Sequence, residues 1–209
     1  MYTGPRRYGF SASTACFRSA GVNGVAIDFV ELPSQVMENW VFEPEMLKLY
    51  ARHYKTGEVI PEALVQKLKK AGNFNQGFAW TEKLAASFLD MDWHTLTDAK
   101  VLDATAFEKA SLEKWGLMPE ILPRYRTPYF HHAADEYSAG YYSYTWSEVL
   151  DSDAFQAFKE SGNLFDPKTA KAFRKLLSKG GSEDPAAIYR EFRGRDPKVE
   201  ALIEKRELK

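Results

Sequence analysis

The stretch that decides the fold runs from residue 75 to residue 96 and reads NQGFAWTEKLAASFLDMDWHTL. Its large apolar residues recur at the spacing of one face of an α-helix, and no alternation typical of a strand interrupts them. We therefore predict a long buried helix here. The residues expected to form its apolar face are Phe78, Leu84, Phe88, Leu89, Met91, Trp93 and Leu96.

The segments on either side of this stretch also have helical patterns, separated by glycine and proline. Near the C-terminus three short segments each begin with Asp-Pro, which is a capping residue followed by proline at the first helical position. The segment 118–128 holds three prolines and is predicted to be an extended connection. We predict an all-α fold, a single multi-helix domain of eight or nine helices. The other predicted helices cover residues 28–42, 43–54, 61–72, 103–115, 137–159, 166–179, 184–192 and 196–206.

Composition excludes several classes of protein. The 209 residues are 44% hydrophobic, which is too many for a disordered chain. Twenty-eight basic and 29 acidic residues give a net charge of −1, and a nucleic-acid-binding protein normally has a basic excess. The single cysteine, Cys16, cannot form an internal disulfide, and no apolar run reaches the roughly 20 residues of a membrane-spanning helix. We expect a cytoplasmic protein that binds neither nucleic acid nor membrane.

Two segments carry candidate functional residues, and the first is 28–40, DFVELPSQVMENW. In a helix that opens near Asp28, the side chains of Glu31, Gln35 and Glu38 fall on one face, beside apolar neighbours. A carboxylate in such surroundings needs a partner, and a cation or a metal ion is one candidate. The alternative is that Glu31 completes a capping box with Asp28 while Glu38 faces water.

The second segment is 137–146, YSAGYYSYTW. In a helix, Tyr137, Tyr141 and Tyr144 would lie on one face among small residues that allow close approach of a ligand. A phenol offers an apolar ring and one O–H group, which can bond a peptide carbonyl or a developing oxyanion. His131 and His132, just upstream, could add a donor. The alternative is a buried aromatic stripe whose hydroxyls bond backbone carbonyls.

These motifs closely resemble the family of zinc metallopeptidases that includes thimet oligopeptidase, oligopeptidase A and peptidyl-dipeptidase. The resemblance rests on residues 28–40 and 137–144 together with FNQGF at 74–78, EILPRYR at 120–126 and GGSEDP at 180–185. It covers about residues 15–209, whereas residues 1–14 form an irregular leader unlike the family. It implies the C-terminal part of the catalytic region of a larger helical metallopeptidase.

The resemblance also implies roles for individual residues. By motif position, Glu31 would be the third zinc ligand, and Tyr144 would stabilise the oxyanion of the tetrahedral intermediate. Tyr137 and Tyr141 would bind substrate. The register leaves the family's histidine ambiguous; we prefer His131 as the catalytic residue, with His132 binding substrate.

One family motif is missing, because the sequence contains no H-E-x-x-H and its four histidines are His53, His94, His131 and His132. One carboxylate cannot hold a catalytic zinc, which normally has three protein ligands. We therefore expect zinc to be absent or weakly bound and the chain alone to be inactive, so whether it acts as an enzyme stays open.

Two hypotheses about function follow. The first is a C-terminal fragment of a zinc oligopeptidase that hydrolyses short peptides when complete, in which Glu31 and the tyrosines line a common cleft. The second is a non-catalytic helical module that binds peptides or a partner. In either case we expect exposed apolar surface, covered by a second copy in a homodimer or by a chain that carries H-E-x-x-H.

Overall fold

The computed structural model describes residues 24–98 and 103–208. These residues form nine α-helices and two 3₁₀ turns, and their one β-like feature is an isolated bridge between Arg52 and Val59. The predicted all-α fold is therefore confirmed. The helices are α1 (Leu32–Glu38), α2 (Pro44–Tyr50), α3 (Glu62–Gly72), α4 (Gln76–His94), α5 (Ala104–Lys114), α6 (Ser143–Glu160), α7 (Pro167–Ser178), α8 (Pro185–Arg193) and α9 (Glu200–Lys205).

The single domain expected from the sequence resolves into two compact units. Unit 1 contains residues 24–40 and 146–205, and unit 2 contains residues 41–145 and 206–208 apart from the undescribed gap. No helix in the described part of the chain has the length and apolar character needed to span a membrane.

Local capping signals explain where most helices begin. Asp103, Asp166 and Asp184 are the N-cap residues of α5, α7 and α8, and each side chain accepts a hydrogen bond from a backbone N–H of the first turn. The third Asp-Pro prediction is wrong, since α9 begins at Glu200 rather than at Asp196. The Asp196 carboxylate accepts a hydrogen bond from Arg190 at 2.8 Å.

The core of unit 1 joins α1 to α6, α7 and α8. Leu32 and Val36 on α1 are fully buried, and this packing fixes the helix that follows Glu31. Burial of one such aliphatic side chain stabilises a fold by about 1.5–3 kcal/mol. The other buried members of the cluster are Phe29, Leu150, Ala154, Phe155, Phe158, Phe173, Leu176, Ile188 and Tyr189.

A buried acidic residue links α6 to α8 within the same unit. The Asp153 side chain is 1% exposed and accepts hydrogen bonds from Arg193 Nε at 3.0 Å, Arg195 Nη2 at 2.7 Å and the Tyr189 hydroxyl at 2.8 Å. Burial opposes ionisation of Asp153, but the bonds from Arg193, Arg195 and Tyr189 outweigh it and hold the pKa below the ordinary aspartate value.

The central helix of unit 2 is α4, which confirms the predicted helix but not all of its predicted apolar face. Leu89 is fully buried, whereas Phe78 is 47% exposed and Phe88 and Met91 are each 38% exposed. Smaller residues line the buried face instead, because α4 packs closely on its neighbours there. The buried residues of α4 are Ala85, Ala86, Ser87, Leu89 and Asp90.

Candidate functional site

Glu31 lies in unit 1 at the N-cap position of α1, half-buried. The predicted helix from Asp28 is wrong at both ends: α1 starts at Leu32, with Pro33 in its first turn, and ends at Glu38. The Ser34 hydroxyl donates to Glu31 Oε2 at 2.6 Å and to the Glu31 carbonyl oxygen at 2.9 Å. A neighbouring serine therefore orients the carboxylate, and the side chain itself makes no capping hydrogen bond.

Two hydrogen bonds attach the C-terminal end of α1 to the rest of unit 1. Asn39 Nδ2 donates to Asp151 Oδ1 at 2.8 Å, and Trp40 Nε1 donates to the Leu164 carbonyl at 3.1 Å. The Trp40 ring also meets Phe155 edge-on, with ring centroids 4.5 Å apart. The helix that begins next to Glu31 is thus held along its length.

The described residues do not make a complete metal site. Among residues 24–98 and 103–208, no group of three or more histidine, cysteine, aspartate or glutamate side chains is arranged to hold a metal ion. A catalytic zinc needs three protein ligands, so Glu31 alone does not fit a zinc ion.

The phenol rings that the sequence singled out meet in unit 2. The Tyr137 and Tyr144 rings stack with centroids 5.2 Å apart and planes 13° from parallel, and Tyr141 meets Tyr144 edge-on at 5.3 Å. The predicted helical face is only partly present, because α6 begins at Ser143 and residues 137–142 form turns. We call His132, Tyr137, Tyr141 and Tyr144 the aromatic cluster.

The structure distinguishes between the two histidines. The His132 ring lies edge-on to all three tyrosines, with centroids 5.8 Å from Tyr137, 5.2 Å from Tyr141 and 6.0 Å from Tyr144. The His131 side chain is 81% exposed and lies 3.7 Å from the Asp135 carboxylate. His132, rather than His131, the residue that the sequence led us to prefer, is therefore the histidine whose ring contacts the tyrosines.

Burial separates the roles that the tyrosines can play. Tyr141 is 4% exposed and packs edge-on against Phe130 and Tyr125. Burial, reinforced by the neighbouring Tyr125, raises the pKa of the Tyr141 hydroxyl above its ordinary value, so this phenol stays neutral. Tyr137 and Tyr144 are half-buried. Their exposed edges can meet a ligand, with Tyr141 beneath them as support.

Two buried acids that the sequence did not single out hold the segment that carries the cluster. Asp90 on α4 is fully buried, and its carboxylate accepts from the backbone N–H groups of Ala139 and Tyr141. Glu108 on α5 is 1% exposed, pairs with Arg126 and accepts from the Thr127 N–H at 2.8 Å. Nothing local in the sequence marks them as holding this segment, because the groups of the segment that they bind lie 18 to 51 residues away.

Glu31 belongs to unit 1 and the aromatic cluster to unit 2. The roles of Glu31, His131, His132, Tyr137, Tyr141 and Tyr144, and the common cleft expected to join them, stay predictions.

Comparison with known proteins gives one family. The model of peptidase family M3 matches residues 10–208 of this chain. The chain is 40% identical over 184 residues to the dipeptidyl carboxypeptidase of Escherichia coli, covering 87% of this chain and 27% of that protein. It is 39% identical over 194 residues to oligopeptidase A of Haemophilus influenzae, covering 88% and 27% of the two chains. Saccharolysin of Saccharomyces cerevisiae is 32% identical over 189 residues, covering 89% and 26%. The chain thus spans about a quarter of the length of these curated relatives.

Proposed function

The chain belongs to peptidase family M3, a family of zinc metallopeptidases, and from this membership we propose that it forms the peptide-binding wall of a zinc oligopeptidase. The substrates proposed are short peptides, in keeping with the names of the relatives, dipeptidyl carboxypeptidase and oligopeptidase A. The observation that carries the proposal is the aromatic cluster, in which one imidazole and three phenols pack together within a single unit.

The exposed part of the cluster suits a peptide backbone. A phenol O–H donates well to a carbonyl oxygen, and it donates more strongly when that oxygen becomes an oxyanion. We assign this donor role to Tyr144, whose ring is restrained by stacking on Tyr137 and by edge contact with Tyr141. A restrained donor loses little conformational freedom when it binds, so it favours a carbonyl in one orientation.

His132 is the proposed histidine of this wall. Its ring contacts all three tyrosines and is half-buried, so one edge can reach a ligand while the other packs on the phenols. Imidazole can donate to a peptide carbonyl as well. This proposal replaces His131 by His132 and keeps the other sequence-based roles.

Glu31 is the proposed metal ligand of this chain. A zinc ion held by Glu31 and ligands from elsewhere would polarise a scissile carbonyl and activate water. Glu31 can supply one carboxylate oxygen, already oriented by Ser34. The sequence contains no H-E-x-x-H, so we propose that the remaining ligands come from outside these 209 residues. The chain on its own is expected to bind zinc weakly and to leave peptides uncleaved.

The missing motif also supports the second candidate function, a non-catalytic module that binds peptides or a partner through the same wall. The two candidates differ in what a chain bearing H-E-x-x-H does when mixed with this one. Zinc-dependent hydrolysis by the mixture supports the oligopeptidase, and peptide binding without hydrolysis supports the module.

The test of the wall uses the purified 209-residue chain and a short fluorescent peptide. Removing one hydrogen bond costs about 0.5–1.5 kcal/mol, so we expect Tyr144→Phe to weaken peptide binding by roughly two- to tenfold. Tyr54→Phe is the matched control, because Tyr54 is 85% exposed and lies outside the cluster. Equal affinities for the wild type, Tyr144→Phe and Tyr144→Ala would contradict the proposed wall.

The test of Glu31 uses a quenched fluorescent peptide and added zinc. We expect no turnover by the chain alone. If turnover is seen and survives in Glu31→Ala, the role assigned to Glu31 is refuted.

A further inference from the structure

A fully buried carboxylate on α4 reaches the turn from which the aromatic cluster projects. Asp90 is 0% exposed. Its Oδ1 accepts from the Ala139 N–H at 3.1 Å, and its Oδ2 accepts from the Tyr141 N–H at 3.0 Å. A buried charge is retained only where it is paired or hydrogen-bonded, and backbone N–H groups bound to a carboxylate make strong bonds.

The pattern of hydrogen bonds in the turn shows what Asp90 adds. The Ser138 and Gly140 N–H groups bond to carbonyls inside the segment, those of Asp135 and Tyr137, at 2.9 Å each. The N–H groups of Ala139 and Tyr141 alternate with them and bond to Asp90. The two oxygens of one carboxylate therefore span the backbone on both sides of Gly140.

Between the two N–H groups that bind Asp90, the backbone has a conformation that is unfavourable for alanine. Ala139 has φ of +52°, in the left-handed region that residues with a Cβ rarely adopt. Only the surrounding structure can hold such a conformation. The bonds to Asp90 are located on both sides of it, so the carboxylate offsets the cost of the turn.

His94 completes the arrangement one helical turn along α4. Its Nδ1 lies 3.0 Å from Asp90 Oδ1 and 2.8 Å from the Asp90 carbonyl oxygen. Both partners are acceptors, so Nδ1 carries the proton and donates to them. The imidazole thus holds the carboxylate in the orientation that the turn requires.

We infer that Asp90, oriented by His94, is a positioning residue that sets the left-handed turn at Ala139 and thereby brings Tyr137 and Tyr144 into their stacked pair. The inference rests on the proposed function for its consequence, which is the fixed orientation of the Tyr144 donor toward a peptide. Asp90 itself does not touch the substrate.

The experiment compares variants of the 209-residue chain labelled with ¹³C-tyrosine. One readout is the ring-current-shifted NMR signals of Tyr137 and Tyr144 in the free chain, and the other is the Kd for a short fluorescent peptide. In Asp90→Asn an NH₂ group replaces one acceptor, so one backbone N–H loses its bond. We expect the shifted ring signals to collapse toward ordinary values and peptide binding to weaken about tenfold.

Three further variants make the test specific. Asp92→Asn is the matched control, since Asp92 lies on the same helix but accepts from Ser111, Lys114 and Trp115. It should leave both readouts unchanged. Glycine adopts φ > 0 freely, so Ala139→Gly added to Asp90→Asn should restore part of both readouts. Ala139→Val disfavours the turn without touching α4, and it should reproduce the ring-signal change even if Asp90→Asn does not fold.

The two readouts separate the failure of this inference from the failure of the proposed function. Unchanged Tyr137 and Tyr144 ring signals in Asp90→Asn or in Ala139→Val would overturn the inference. So would a change of the same size in Asp92→Asn, or no recovery on adding Ala139→Gly. If the ring signals respond as expected while the wild type binds no peptide, the positioning role stands and the proposed function falls.

Discussion

Asp151 and Asp153 lie two residues apart on α6 and are equally buried, but their pKa values are shifted in opposite directions. Each side chain is 1% exposed. Asp153 accepts from two arginines and a tyrosine, and these bonds outweigh burial and lower its pKa. Burial raises the pKa of Asp151 despite the nearby Lys205 and Asn39. Relative to an ordinary aspartate, the fold therefore favours the charged form of Asp153 and disfavours the charged form of Asp151. Asparagine substitution at each position measures the difference in unfolding free energy.

We predict that Asp153→Asn costs about 3–5 kcal/mol of unfolding free energy at pH 7, the usual cost of breaking a buried ion pair. The Arg193 side chain is 5% exposed, and within residues 24–98 and 103–208 it would keep the half-exposed Glu160 as its carboxylate partner. The substituted amide also places a donor against guanidinium or phenol donors, so at least one hydrogen bond is lost with the charge.

Asp151→Asn should cost less than about 1 kcal/mol, because asparagine is neutral and keeps the oxygen that is used. Oδ1 of Asp151 accepts from Asn39 at 2.8 Å and from Lys205 at 3.1 Å, whereas Oδ2 has no hydrogen-bond partner in the described part of the chain. Lys205 is 32% exposed, so its ammonium group can be solvated.

The measurement is urea unfolding at pH 7, followed by far-UV circular dichroism, for the wild type and both variants. The difference between the two midpoints, with unchanged m-values, gives the difference in free energy. Equal costs for the two substitutions, or a larger cost for Asp151→Asn, would refute the account of these two carboxylates.

Three further predictions concern pH, the histidines and association. Because the folded-state pKa of Asp153 is lowered, its contribution is present at neutral pH and is lost as the pH falls below about 4, so Asp153→Asn should flatten the acid loss of stability in urea titrations. Because the folded-state pKa of Asp151 is raised, the unfolding free energy that its charge costs at neutral pH is regained on acidification. Asp151→Asn should abolish that gain in stability. His132→Ala should change the NMR signals of the tyrosine rings and weaken peptide binding, whereas His131→Ala, at a side chain 81% exposed, should change neither. Exposed apolar side chains such as Phe74, 76% exposed, predict self-association, and a single monomeric species at all concentrations in sedimentation velocity would contradict it.

The sequence predicts the helices well wherever the signal is local. The start of α5 follows from Asp103, whose carboxylate accepts from the N–H groups of residues two and three positions later. The same reasoning fails at Asp196, whose carboxylate accepts from Arg190 while α9 begins only at Glu200. A capping rule considers only the chain that follows, and here the partner lies six residues upstream in α8.

The candidate site was predictable as a set of residues but not as a geometry. Spacing alone put Tyr137, Tyr141 and Tyr144 on one helical face, and the rings do meet, yet they do so across a turn followed by the first residues of α6. Helical periodicity cannot anticipate a left-handed residue such as Ala139 that is stabilised from another helix. For the same reason the sequence left the two histidines ambiguous; the structure shows ring contacts with the tyrosines for His132, and the role of either histidine stays a prediction.

Asp90 and Glu108, which bind the segment that carries the cluster, have no feature in the sequence pattern that would mark them as buried. Asp90 follows Leu89 in an apolar helix, and Glu108 lies in the middle of α5; on composition alone each would be assigned to a solvated face. Both are buried. Asp90 accepts from the Ala139 and Tyr141 N–H groups in the turn that carries the tyrosines, and Glu108 accepts from the Thr127 N–H and pairs with Arg126 upstream of His132. An irregular segment has no complete internal hydrogen-bond ladder, so N–H groups that find no carbonyl inside it, such as those of Ala139 and Tyr141, need acceptors elsewhere. A buried acid on α4 supplies them here, so on our inference the orientation of the aromatic cluster depends on α4 as much as on its own sequence.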